Sequence, residues 1–129
     1  MKRFIVVLTV FAVALAACSR QNRYEREADK ITQSVIANNM GPAINDFDSQ
    51  ARVSVTRVAV ARLADELNSQ GKYQGLQEVQ VQNEAPNTHT FNAKFEKHVY
   101  TELMVLDDDG KVRRWTIHMQ YPAAASPTP

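Results

Sequence analysis

Apolar and polar positions along this chain change period once, near Gly71, and that change divides it into a helical part and a stranded part. From Asn22 to Asn39 the apolar residues Tyr24, Ala28, Ile31 and Val35 fall at offsets of four, three and four, with Ile36 beside them. That is the stripe of an amphipathic helix, and the spacing predicts one that stops at Met40-Gly41-Pro42. A short segment through Ala43, Ile44 and Phe47 has helical character, and Arg52-Val53-Ser54-Val55 alternates over too few residues to assign. Thr56 is placed to cap a second helix whose face is Val60, Leu63, Ala64 and Leu67, ending at Asn68-Ser69-Gln70-Gly71.

Beyond Gly71 the period falls to two. A weakly patterned strand runs through Leu76, Glu78 and Gln80 on one side and Gln77, Val79 and Val81 on the other. In the next, Phe91, Ala93 and Phe95 alternate with Asn92, Lys94 and Glu96, as in a half-buried antiparallel strand. Residues Val99 to Leu106 are apolar on nearly both faces, with Glu102 the exception. Asp107-Asp-Asp-Gly110 forms a turn, and Val112 to Tyr121 returns with Trp115, Ile117, Met119 and Tyr121 on one face. Helices followed by a run of antiparallel strands predict an α+β domain over residues 23–121, its helices packed on a curved sheet. The closing segment 122–129, rich in Pro and Ala, cannot build a core and reads as a disordered tail.

Ahead of this domain, Lys2 and Arg3 precede an apolar run from Phe4 to Ala17. It is shorter than the roughly 20 apolar residues that span a bilayer, so it reads as a secretory signal over residues 1–17. The stretch Leu15-Ala16-Ala17-Cys18 resembles the lipobox of bacterial lipoproteins. The resemblance implies cleavage before Cys18, diacylglyceryl attachment at its sulfur, and a tether over residues 18–22. Two or more acyl chains anchor stably where one binds only marginally. Ser19 is not the aspartate that retains many such proteins in the inner membrane, so the resemblance implies an outer-membrane anchor with the domain facing the periplasm. Cys18 is the single cysteine, and the domain therefore has no internal disulfide.

Removing residues 1–17 leaves about 112 residues, enough for one core, and turns a formal charge of +1 into about −1. That balance provides no footprint for nucleic acid, and Arg20, Arg23 and Arg26 are interleaved with Glu25, Glu27 and Asp29. Asp107-Asp-Asp-Gly110 does not fit a calcium loop: with Gly110 at its sixth position, Val105 stands first and Thr116 twelfth. His89, His98 and His118 lack metal-ligand spacing and are expected at the surface. No cofactor motif is present.

From about Tyr24 to Met119 the succession of long helix, short helical piece, second helix and strand meander resembles the nuclear transport factor-like domains with a cystatin-like cone. Leu67-Asn-Ser-Gln-Gly71-Lys-Tyr73, Phe95-Glu-Lys97 and Asp107-Asp-Asp-Gly110-Lys-Val112 are similar to phrases in small bacterial members. The resemblance implies a fold more than a function, since that superfamily holds isomerases, dehydratases, transport adaptors and dimerisation modules. Its enzymes move a proton with a carboxyl inside the cone. The polar residues near apolar segments here are Asp46, Asp48, His98, Tyr100 and Glu102, and none matches a catalytic pattern of the superfamily. Glu102 shares a strand face with Tyr100, Met104 and Leu106; it is expected at solvent or at a dimer rim rather than facing a pocket, because carboxylates are seldom buried unless paired. The candidate pocket or interface is therefore Tyr100, Glu102, Leu103, Met104, Val105 and Trp115. The expectation is a noncatalytic binding or scaffold lipoprotein docking a second copy or an envelope partner through its sheet. A ligand-binding or hydratase-like enzyme, and an inhibitor of an envelope enzyme or toxin, are the alternatives.

Overall fold

A computed structural model describes residues 21–120. The signal segment, Cys18, Tyr121 and the Pro/Ala tail lie outside the described residues. The first helix, α1, is Arg23–Ile36. Asn22 opens it with a reciprocal cap: its side chain accepts from the Glu25 N–H at 2.8 Å, and Glu25 accepts from the Asn22 N–H at 3.3 Å. The helix ends earlier than Gly41-Pro42 suggests. Asn38 takes a left-handed φ of 50°, and the Asn38 and Asn39 N–H groups donate to the carbonyls of Val35 and Ser34. Asparagine tolerates this conformation, so it terminates α1 before the glycine is reached.

A single 3-10 turn, Ile44–Asp46, leads to α2, Ser49–Ser54, and then to α3, Arg57–Asn68. The short alternation at residues 52–55 is thus mostly helical, because the Asp48 carboxylate accepts from the Ala51 N–H at 2.7 Å and starts a turn there. Thr56 caps α3 in the same way, accepting from Ala59 at 3.2 Å.

Four strands follow as an antiparallel meander, β1 Tyr73–Val79, β2 Thr88–Phe95, β3 Val99–Leu106 and β4 Val112–Met119, ordered β1-β2-β3-β4. The helices lie on one face, the α+β arrangement expected. Ala28, Ile31 and Val35 of α1 and Leu67 of α3 meet Phe91, Ala93, Phe95, Tyr100, Met104 and Ile117 of the sheet. Among the described residues the buried cluster runs from Ala28 to Ile117, and the chain beginning at Ser19 keeps every described element. No described helix is long and apolar enough to cross a membrane. Beyond Phe47 and Asp48, which meet β4 only at Val112, β4 is an edge strand.

Candidate functional site

On β3 the period of two sends Tyr100, Glu102 and Met104 to the helix-facing side, where all three are fully buried. This corrects the expectation for Glu102, which meets neither solvent nor a rim. Across the sheet its Cα partner is Ile117, and Trp115, paired with Met104, stands diagonally within reach. The Trp115 indole N–H donates to Glu102 Oε1 at 2.5 Å, and Thr32 Oγ1 of α1 lies 2.7 Å from Oε2. The carboxyl is therefore paired, but with uncharged groups.

The contacts accommodate a proton on Glu102. Thr32 has one hydroxyl hydrogen and two acceptors within reach, Ala28 O at 2.9 Å and Glu102 Oε2 at 2.7 Å. If Glu102 carries the proton, it donates to Thr32, Thr32 donates to Ala28, and Trp115 donates to the remaining oxygen. Every contact is then used once. Electrostatics favour the same state: burial pushes the carboxyl up to about 8, the bond from Trp115 opposes that, and the nearby Asp29 charge adds to it. Burial thus favours the protonated, neutral form of Glu102, and both of its oxygens are engaged inside the protein.

Trp115 also forms part of a groove of about 340 Å3 between α2, α3 and the edge of β4. Its walls are mostly apolar, with Val35, Phe47, Val55, Val60 and Leu63 among them. α2, only six residues long, packs against β4, and the groove lies between it, α3 and that strand. At the β4 side a bulge interrupts the ladder: Val105 pairs with Arg114 and Leu106 with Val112, leaving Arg113 as an extra residue. Two adjacent arginines, Arg113 and Arg114, consequently border the groove, and both are exposed. The groove shares Met40, Val55 and Val60 with a wider depression of about 590 Å3 that Arg57 borders. Neither surface includes an Asp or a Glu.

The residues expected to form one pocket or interface separate onto two faces. Tyr100, Glu102 and Met104 are core, Leu103 and Val105 are half-buried on the opposite side of the sheet, and Trp115 is half-buried at the groove. Asp46 pairs with Lys30 at 2.5 Å, and Asp48 is the α2 cap. Of the histidines, His98 and His118 are exposed. His89 is instead half-buried, stacked on Tyr24 with ring centroids 3.7 Å apart, its Nδ1 2.7 Å from Glu78 Oε1. Among the described residues no three His, Cys, Asp or Glu side chains converge to hold a metal. Sequence reasoning missed Thr32, whose polarity within the α1 stripe was the available signal, and it missed the arginine pair as a groove border. No protein family, curated protein or solved structure matches this chain.

Proposed function

We propose that this chain is a lipid-anchored lipoprotein of the bacterial envelope, held by Cys18 in the outer membrane and facing the periplasm, whose domain is a noncatalytic binding module. The address rests on Lys2, Arg3, the apolar run and Leu15-Ala-Ala-Cys18. The observation that carries the binding role is the groove between α2, α3 and β4, an apolar concavity within the size range of small-ligand sites. A nuclear transport factor-like cone remains the fold proposed for it, the helices and curved sheet being the part of that likeness described above.

The same groove invites an enzyme reading, in which a carboxyl beside a pocket moves a proton. Glu102 is the carboxyl nearest to that role, and its engagement with Thr32 and Trp115 speaks for support of the groove wall rather than turnover. Docking of a second copy through the sheet would rest on Leu103 and Val105, half-buried on its outer face.

Two measurements test the proposal. Palmitate labelling and membrane fractionation of the full chain should be lost in Cys18→Ser; labelling that persists in the variant would refute the anchor. A thermal-shift screen of small envelope metabolites on the chain beginning at Ser19 should yield a ligand whose stabilisation disappears when Ala59, exposed at the groove, becomes Phe. A ligand effect unchanged in Ala59→Phe would refute the groove as the binding surface.

A further inference from the structure

The charges around the groove restrict what it can hold. Its depth is apolar, with Val35 and Phe47 buried at its base, whereas the charged side chains along its border are Arg113 and Arg114. Arg57 adds a third guanidinium on the adjoining surface, and no carboxylate borders either. Arginine is the side chain best matched to a carboxylate, through two parallel N–H donors. The bulge at Arg113 breaks strand alternation at the one place where doing so sets two arginines on the same border.

Volume narrows the ligand further. A liquid-like share of roughly 30 Å3 for each water-sized group gives room for about eleven such groups. This matches one acyl chain of medium length more closely than the paired chains of a phospholipid. We propose that the groove binds a free single-chain anionic amphiphile, a fatty carboxylate, with its tail against Phe47, Val55, Leu63 and Trp115 and its carboxylate on Arg113 and Arg114. This rests on the binding-module reading and names the ligand class of the same site.

Trp115 is the only tryptophan in the chain and borders the groove, so its fluorescence reports occupancy directly. The chain beginning at Ser19 would be titrated with dodecanoate below its micelle concentration, and in parallel with dodecanol and dodecyltrimethylammonium. The expected result is saturable binding of dodecanoate, at least tenfold weaker binding of the other two, and at least a tenfold loss of dodecanoate affinity in the Arg113→Gln/Arg114→Gln double variant. Equal binding of all three probes, or unchanged affinity in the double variant, would overturn the ligand class while leaving an apolar binding groove. No fluorescence change and no thermal shift with any probe would overturn the ligand class and remove the groove's binding role with it.

Discussion

Replacing Glu102 by Gln should make this protein more stable at neutral pH, although it removes a carboxyl from the centre of the fold. Gln is close in shape to the protonated acid. Its amide nitrogen can donate to Thr32 Oγ1, and its oxygen can accept from Trp115 Nε1. What the substitution removes is linkage to protons. The Glu102 carboxyl has a pKa of about 8 in the folded chain against 4.5 as its ordinary value. A raised pKa means that the folded state holds the proton over an interval in which the unfolded state has released it. Stability is therefore complete below pH 4.5, falls as pH rises towards 8, and changes no further above it. At about 1.4 kcal/mol per pH unit, the loss from this one group is about 3 kcal/mol at pH 7 and about 5 kcal/mol above pH 8. Urea unfolding of the two proteins at pH 4, 7 and 9 measures the difference. Nearly equal stabilities at pH 4 and a Gln variant more stable by about 3 kcal/mol at pH 7 are expected. A variant destabilised at pH 7, or a difference that does not depend on pH, would refute both the proton count and the neutral state.

Other substitutions probe the supports of this arrangement. Thr32→Val keeps shape but removes the hydroxyl 2.7 Å from Glu102 Oε2, and should cost about 1 to 3 kcal/mol in urea unfolding at pH 5; a neutral effect would show that this contact contributes nothing to stability. Gly71→Ala should destabilise by about 1 kcal/mol or more, because φ there is +84° and the added Cβ would lie 2.9 Å from Glu96 Cβ. An unchanged melting temperature would contradict that geometry. Asp48→Ala removes the α2 cap and should lower stability by about 1 kcal/mol, with little loss if the turn is held by packing alone.

Much of the sheet was legible because β2 alternates strictly, β3 is a continuous apolar run of strand length and the Asp-Gly turn marks its continuation into β4. The same alternation put Glu102 beside Tyr100 and Met104. The general cost of burying a charge argued the other way and prevailed. The satisfying partners could not be seen: Thr32 lies 70 residues earlier on a helix, and the Trp115 N–H reaches Glu102 diagonally across the sheet. Assigning Leu103 and Val105 together with Tyr100 and Met104 failed for a simpler reason, since neighbours along a strand point to opposite faces. The groove was the least accessible feature. It depends on a six-residue helix started by Asp48 and on a bulge whose extra residue, Arg113, is defined only by pairing with β3. Neither leaves a period in the sequence. Helix ends were read from Gly and Pro, but Asn38 adopted the left-handed conformation first.

The central claim is that this domain binds through the groove rather than through the outer face of its sheet. Backbone-amide NMR shifts of the chain beginning at Ser19, recorded during titration with dodecanoate, distinguish the two surfaces residue by residue. The account predicts shifts concentrated in residues 47–63 and 113–116, with the outward-facing Thr101, Leu103 and Val105 much less affected. Shifts centred on those three residues would contradict it.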